Sequence, residues 1–203
     1  KVTPVAAFKE ADVSDAVWIN DRRLYVGSHD ESRDRDNWRS PLGYAVDVDG
    51  GNFRRLGHRH PGLHAAPGLG DDLLFSYPAD QSEGWGHLKL QRLNTRNGAA
   101  REVDLPPWTQ SFVVDSGGEP VAAVTARGDK EQLRWRGEAK SGAEWRVLSE
   151  TDRFFGASVM PWQYGPDGKL YVVSRRDKDL AALYTLDPVS AQISDRPVLA
   201  LAL

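Results

Sequence analysis

The sequence contains no cysteine among its 203 residues. The chain therefore forms no disulfide, and it offers neither a thiolate metal site nor a cysteine nucleophile. A cysteine-free composition suits the bacterial periplasm and the cytoplasm equally. The compartment stays open between the two.

Excess charge of one sign and long apolar runs are also missing. The formal net charge is −3 and the pI is about 6.0, so the broad positive field that drives most nucleic-acid binding is absent. No apolar run approaches the ~20 residues that cross a bilayer, and the start KVTPVAAFKEADV lacks a signal-peptide pattern. We expect no nucleic-acid partner and no membrane anchor. Because residue 1 is lysine, we expect a processed or excised product with any targeting signal upstream.

An amphipathic helix pattern is the third absence. No window sustains apolar residues at i, i+3, i+4 and i+7, and 19 glycines and 12 prolines interrupt the chain. Hydrophobic residues nevertheless make up 40% of the sequence, which is enough for a packed core. We predict an all-β protein.

A short apolar strand that follows a polar turn occurs four times. The four copies begin 48 or 49 residues apart, which predicts a structural repeat. A strand-like run precedes each copy, and two more follow it after polar turns. The repeated strands are Leu24–Ser28, Leu73–Tyr77, Val121–Thr125 and Leu170–Ser174.

Four antiparallel strands in a unit of about 48 residues are typical of a β-propeller blade. We predict a β-propeller fragment of about four four-stranded antiparallel blades, with inner strands near residues 16–19, 63–66, 111–114 and 159–164. The blades cover approximately 13–57, 62–105, 109–149 and 156–203, and residues 1–12 are the end of a preceding blade or a linker. A sandwich or open barrel is the alternative, but its strands need not recur in groups of four.

Both ends of the chain suggest a larger parent protein. Residues 2–8 resemble an outer strand of a preceding blade, and residues 198–203 end inside an apolar stretch. A partial propeller leaves strand edges and blade faces uncovered, so we expect the fragment to self-associate.

Two segments of the first blade, Asp15–Val26 and Tyr44–Leu56, resemble the N-terminal propeller of bacterial prolyl oligopeptidase family serine peptidases, which include dipeptidyl and acylaminoacyl peptidases. Gly165–Val172 is similar to a turn of those blades and of Tol-type propellers. The resemblance implies a propeller that sits over an α/β-hydrolase domain and restricts access to a serine nucleophile. None of the family's catalytic residues has a counterpart in this chain.

The sequence contains no motif for catalysis or cofactor binding. The nucleophile elbow G-x-S-x-G, the P-loop and H-E-x-x-H are all absent. We expect no catalytic residue and no cofactor in this chain.

Three of the histidines, His58, His60 and His64, are close enough in sequence to be considered as metal ligands. His58 and His60 lie in an expected inter-blade connection, residues 57–62, and no acidic residue lies nearby to complete a ligand set, so we expect no metal site. The remaining histidines are His29 and His87.

Acidic pairs and tryptophans are expected to be structural. Asp71 with Asp72, and Asp47 with Asp49, occur at or beside expected hairpin turns, where aspartate side chains accept backbone N–H groups. Most tryptophans, including Trp18 and Trp162 on inner strands, are expected to pack.

One loop is a candidate for binding. Residues 29–42 form a much longer connection than the equivalent ones near 126–130 and 176–180, and arginine and tryptophan are enriched in binding hot spots. We predict that Arg33, Arg35, Trp38 and Arg39 face a catalytic domain or its substrate entrance. The alternative is a solvated loop whose alternating charges pair with one another.

The leading hypothesis is a non-catalytic propeller domain that gates and docks on the hydrolase domain of a serine peptidase, whose peptide substrates it meets through that domain. The rival is a free-standing Tol-type propeller that binds protein partners. An enzyme with a site in the propeller channel lacks a convergent catalytic set.

Overall fold

The computed structural model describes residues 4–9, 11–29, 42–58, 62–79, 87–137, 143–176 and 179–200. These residues contain sixteen β-strands and one short 3-10 helix, Pro67–Leu69. The strands form four sheets of four, and hydrogen-bonded neighbours follow one another in sequence. The prediction of an all-β chain built from four-stranded antiparallel blades is confirmed. Among the described residues, no helix is long and apolar enough to span a bilayer.

Each sheet takes its four strands from one segment of the chain. The first contains β1 (Asp12–Asn20), β2 (Arg23–His29), β3 (Leu42–Asp47) and β4 (Arg54–His58); the second contains β5 (Gly62–His64), β6 (Asp72–Pro78), β7 (Leu88–Asn94) and β8 (Ala100–Val103). The third contains β9 (Thr109–Val114), β10 (Pro120–Arg127), β11 (Lys130–Trp135) and β12 (Arg146–Asp152); the fourth contains β13 (Val159–Tyr164), β14 (Leu170–Ser174), β15 (Ala182–Asp187) and β16 (Gln192–Ile193). The segments predicted as inner strands overlap β1, β5, β9 and β13, although β5 ends at His64, two residues before the end of the predicted segment 63–66.

Short polar turns connect the first two strands of several sheets. In the β9–β10 turn, Asp115 Oδ1 accepts the backbone N–H groups of Gly117 at 2.8 Å and Glu119 at 2.9 Å. Gly118 follows with φ of 78°, in the left-handed region that glycine enters without steric cost. The aspartate and glycine of this turn thus fix the pairing of the two strands.

The chain divides into two compact units, Lys1–Tyr77 with Leu90–Val103 and Pro78–Lys89 with Asp104–Leu203. In unit one, a cluster of buried apolar side chains forms between β-strands of the first and second sheets. Leu73 and Phe75 of β6 are fully buried, and the Tyr25 ring lies 6.4 Å from the Phe75 ring. The cluster contains Ile19, Tyr25, Ala45, Leu73, Phe75 and Leu93.

Unit two has a core of its own between the third and fourth sheets. Strand β10 is buried along almost its whole length, and β14 alternates between buried and half-buried positions. The Trp135 ring lies 5.2 Å from the Tyr164 ring. The core contains Val121, Ala122, Val124, Leu133, Trp135, Val159, Leu170, Val172, Ala182, Tyr184 and Leu186.

Candidate functional site

The four residues singled out in the sequence, Arg33, Arg35, Trp38 and Arg39, lie outside the described residues. They belong to the connection between β2 and β3. Their role at a domain or substrate interface therefore stays a prediction.

The histidine group is described in part, since His60 lies outside the described residues. His64 is half-buried on β5, and its Nε2 atom lies 3.3 Å from Ser76 Oγ. Burial lowers the pKa of His64, which favours the neutral imidazole. In the described part of the chain, no three histidine, aspartate or glutamate side chains are grouped so that they could hold a metal ion.

The aspartates of the two acidic pairs are engaged in hydrogen bonds or ion pairs. Asp49 Oδ1 accepts the backbone N–H two residues further on, at 2.8 Å, as the turn pattern predicts. Asp71 and Asp72 instead accept hydrogen bonds from arginine side chains, Arg96 Nε at 2.5 Å and Arg92 Nε at 2.7 Å. The hydrogen bond from Arg96 lowers the pKa of Asp71. Asp71 and Asp72 are thus held in ion pairs with arginine side chains, which suits a structural role better than proton transfer.

A fully buried arginine organises the turns of unit one. Arg23 Nη1 donates to Asp47 Oδ1 at 2.6 Å, and Arg23 Nε donates to Thr95 Oγ1 at 2.8 Å. Arg23 Nη2 donates to the carbonyl oxygens of Thr95 at 2.8 Å and Asn52 at 3.2 Å. Buried charge is tolerated only when it is paired and hydrogen-bonded, and this guanidinium is both.

The second carboxylate oxygen of Asp47 extends this network. Asn52 Nδ2 donates to Asp47 Oδ2 at 2.6 Å, and Arg96 Nη1 donates to it at 3.2 Å. The hydrogen bonds from Asn52, Arg23 and Arg96 lower the pKa of Asp47 to about 2. Because the charged groups of this network pair with one another, we assign the network a role in stability.

Unit two carries a different feature, a turn with two exposed aromatic side chains. Phe154 is 70% exposed and Phe155 is 93% exposed, in the turn that follows β12. Asp152 Oδ1 accepts the backbone N–H groups of Phe154 at 2.8 Å and Phe155 at 2.9 Å, and the Gly156 N–H donates to the Asp152 carbonyl at 2.8 Å. The turn is fixed by its own hydrogen bonds while its two rings remain in solvent.

This turn lies at one defined end of the third sheet. There, β10 turns into β11 through residues 128–129, β12 ends at Asp152 opposite Lys130, and β9 begins at Thr109 opposite Thr125. The Arg153 N–H donates to the Asp129 carbonyl at 2.7 Å, which joins two of these turns. We call this the connection end of the third sheet.

Trp108 stands at the same connection end in a strained backbone conformation. Its φ is 68°, a left-handed value that costs a bulky residue about 1–3 kcal/mol. Pro107 precedes it in the turn, and a turn with proline at its second position usually has glycine at a third position of positive φ. The Thr109 hydroxyl donates to the Pro106 carbonyl at 2.6 Å, and the Ala126 N–H donates to the Trp108 carbonyl at 3.0 Å. The surrounding bonds hold a tryptophan where the backbone favours glycine.

The Trp108 ring is held between a buried histidine and an arginine. The centroid of the His87 ring lies 3.8 Å from that of the Trp108 ring in an edge-to-face arrangement, and the Arg127 guanidinium lies 5.6 Å from the Trp108 centroid. His87 is 9% exposed, and its Nε2 has no hydrogen-bond partner among the described residues. The half-buried Trp108 ring is thus positioned from within the unit.

A cleft of about 520 Å³ opens beside Trp108 on one face of the third sheet. Three basic side chains line it, Arg127 from β10 and Lys130 and Arg134 from β11. Arg134 Nε donates to Thr125 Oγ1 at 3.2 Å, and its Nη2 donates to Gln132 Oε1 at 2.6 Å. Within the described residues, no carboxylate lies within ion-pair distance of Arg127 or Arg134.

Lys130 differs from these two arginines because it has an acidic partner. Its Nζ lies 2.8 Å from Glu150 Oε1, and this hydrogen bond raises the pKa of Lys130 and lowers that of Glu150. Gln132 Nε2 donates to the other oxygen of Glu150 at 2.5 Å. Among the residues that the structure describes, the cleft therefore holds two guanidinium groups without a carboxylate partner.

Sequence reasoning missed both features of unit two. The sequence does carry signals for them, since Pro106-Pro107 before Trp108 marks a turn and Phe154-Phe155 stands in a polar connection. The expectation for tryptophans was wrong at Trp18 and Trp162, which are 58% and 62% exposed. Both lie on the first strand of a sheet, which has a paired neighbour on one side within its sheet.

Comparisons with known proteins find similarity only among solved structures. No protein-family model matches the chain, and no curated protein matches it. A variant of the AtxE2 isopeptidase with astexin3-dC4 bound aligns at 13% identity and a TM-score of 0.40, over 97% of this chain and 34% of that one. A puromycin hydrolase mutant complexed with PGG aligns at 13% identity and a TM-score of 0.44, over 84% of this chain and 28% of that one. The chain spans about a third of the length of these two proteins.

Proposed function

We propose that this chain is the non-catalytic propeller part of a serine peptidase of the prolyl oligopeptidase family, and that it docks on the α/β-hydrolase domain and gates access to it. The family assignment is supported by the likeness of Asp15–Val26, Tyr44–Leu56 and Gly165–Val172 to such propellers. The four antiparallel four-stranded sheets support the architecture.

The observation that carries the docking proposal is the exposed pair Phe154 and Phe155. Burial of a phenylalanine side chain contributes about 1.5–3 kcal/mol of favourable free energy. Two exposed rings on one turn do not gain this free energy within the chain, but they would gain it at an interface with a partner. Asp152 already orders the turn, so binding of a partner costs less conformational entropy. Rigid aromatic side chains of this kind are typical centres of protein interfaces.

The gating part of the proposal rests on strand topology. In a sheet of four antiparallel strands, the loop between the second and third strands lies at the same end as the connection that leaves the fourth strand. The loop with Arg33, Arg35, Trp38 and Arg39 occupies this position in the first sheet, and the Phe154 turn occupies it in the third. We assign both connections to the blade ends that face the hydrolase domain.

The test uses the natural protein that contains this chain, assayed on chromogenic aminoacyl and dipeptidyl substrates with a serine-directed covalent inhibitor. We expect inhibitor-sensitive turnover, and we expect the double variant Phe154→Ser, Phe155→Ser to change kcat/KM by about tenfold, because the docked domain is displaced. The matched control is Val189→Ser. It removes an apolar side chain that is 80% exposed from the β15–β16 turn, at the opposite end of a sheet in the same unit.

Two results would contradict this proposal. Equal kinetics for the double phenylalanine variant and the Val189 control would remove Phe154 and Phe155 from any domain interface. A natural protein that carries no inhibitor-reactive serine would favour the Tol-type alternative, in which the exposed phenylalanines bind a separate protein.

A further inference from the structure

We propose that the cleft beside Trp108 binds a carboxylate group of a peptide, with Arg127 and Arg134 as the cationic groups and the Trp108 ring as the wall for an adjoining apolar side chain. The site lies wholly in unit two and does not depend on the proposed docking of a hydrolase domain. Its residues come from the turn before β9 and from the paired strands β10 and β11.

Strand pairing in the third sheet brings positive charges together at a cost. Arg127 and Lys130 are direct cross-strand partners, and like charges in such positions repel one another. Glu150 forms an ion pair with Lys130, but in the described part of the chain no carboxylate forms an ion pair with Arg127 or Arg134. A bound anion would neutralise this excess positive charge, for which the described residues supply no carboxylate.

Hydrogen-bonding capacity in the cleft points to the same ligand. Arg134 uses two of its five N–H donors on Thr125 and Gln132, and those two bonds hold its guanidinium in place. Counted over the described residues, three donors remain for a ligand. Arg127 is positioned by the Trp108 ring. A planar guanidinium matches a carboxylate through two parallel hydrogen bonds.

Trp108 supplies the second half of the recognition. A strained tryptophan persists where the surrounding structure over-determines it, and such residues cluster at ligand sites. His87 contacts the ring from the unit's interior, so the ring position is set before any ligand arrives. A peptide offers a carboxylate and a neighbouring apolar side chain together, whereas the net charge of −3 disfavours a nucleic acid.

The experiment is calorimetric titration of the whole chain with three short peptides. Ac-Leu-Glu-Leu-NH2 presents a side-chain carboxylate, Ac-Leu-Gln-Leu-NH2 is its neutral isostere, and Ac-Leu-Leu-Leu with a free C-terminus presents a terminal carboxylate. We expect at least one of the two carboxylate peptides to bind at least about tenfold more tightly than the neutral peptide, with an affinity that falls as salt is added. The stronger of the two identifies the source of the carboxylate.

Variants then locate the site. Arg127→Gln and Arg134→Gln should each weaken binding of the carboxylate peptide by about tenfold, and Arg55→Gln should leave it unchanged. Arg55 is exposed on β4 of unit one, so its substitution makes the same change in net charge away from the cleft. Trp108→Gly should abolish tight binding, and a melting temperature that stays well above the titration temperature shows that the loss is not due to unfolding, because glycine accepts a positive φ.

Several outcomes would overturn the proposal. These are equal affinity for the glutamate and glutamine peptides, no binding of any peptide, or an Arg55→Gln effect as large as that of Arg127→Gln. If inorganic phosphate, at constant ionic strength, displaces the peptide at concentrations below the peptide's own dissociation constant, the cleft would be assigned to phosphate instead. A failure of any of these kinds leaves the serine-peptidase test untouched, since no hydrolase domain takes part.

Discussion

A guanidinium that is removed from water needs several acceptors, and Arg23 finds them in residues far away in sequence. Its partners are Asp47, 24 residues on, and Thr95, 72 residues on. The sequence places Arg23 beside a turn and at the start of an apolar strand, but it gives no means of pairing it with Thr95. Residue-scale roles that depend on long-range contacts were therefore beyond the sequence, whereas local ones such as the Asp49 turn were predictable.

We predict that Asp47→Asn lowers the free energy of unfolding by about 2 kcal/mol at neutral pH. The reduction of the Asp47 pKa from 3.8 to about 2 corresponds to that amount, because the ionised carboxylate is favoured in the folded state. Urea denaturation followed by circular dichroism measures the change. Asp49→Asn is the matched control: it alters an exposed turn aspartate two residues away and should shift stability by less than about 0.5 kcal/mol.

The sign of the pH dependence provides a second readout of the same prediction. A carboxyl group whose folded pKa lies below its unfolded pKa contributes its full stability above about pH 4 and loses it as the pH falls toward 2. The stability difference between the wild-type chain and Asp47→Asn should therefore shrink over that range. A difference that stays constant down to pH 2 would show that the ion pair with Arg23 contributes nothing through ionisation.

At the scale of the element, the repeat spacing of 48 or 49 residues predicted four strand groups, and the observed strands follow it closely. Alternating apolar residues and turn aspartates carry this information locally. Exposure of individual side chains was less accessible, as Trp18 and Trp162 show, because it depends on what covers a strand from outside its own sheet. The strained turn at Trp108 was missed for a related reason, since tryptophan is rare at positive φ and was expected to pack.

The turn that presents Phe154 and Phe155 depends on the glycine that follows them. A Cβ atom on Gly156 would lie 2.6 Å from the Asp152 carbonyl oxygen and 2.9 Å from the Asp152 nitrogen, so the backbone would have to move. We predict that Gly156→Ala costs about 1–3 kcal/mol of stability, measured by urea denaturation. It should also remove whatever activity depends on the phenylalanine pair.

Gly117→Ala is the matched substitution in another turn of the same sheet. A Cβ there would meet the Asp115 carboxylate at 3.2 Å, and a side chain yields more easily than backbone. We expect a cost well below that of Gly156→Ala. Equal costs for the two variants would mean that the Asp152 backbone moves freely and that the phenylalanine turn is not rigid.

At the scale of the whole molecule, the chain contains two compact units, each with its own buried apolar cluster. The repeat predicted four equivalent blades, whereas the buried apolar clusters join the first sheet with the second and the third sheet with the fourth. Such packing is set by tertiary contacts, which one sequence does not reveal. Separate cores also mean that the units can differ in local stability.

We predict that a cavity in one core destabilises its own unit selectively. Leu73 in unit one and Leu170 in unit two are both fully buried, so Leu73→Ala and Leu170→Ala should each cost about 2–5 kcal/mol. In hydrogen-exchange mass spectrometry, Leu73→Ala should accelerate exchange in β2, β3 and β6, while β10 and β14 keep their protection. Leu170→Ala should produce the reverse pattern, so that each variant is the control for the other. Equal acceleration of all these strands by both variants would mean that the two clusters unfold as one cooperative core, in which case the boundary between the units has no thermodynamic counterpart.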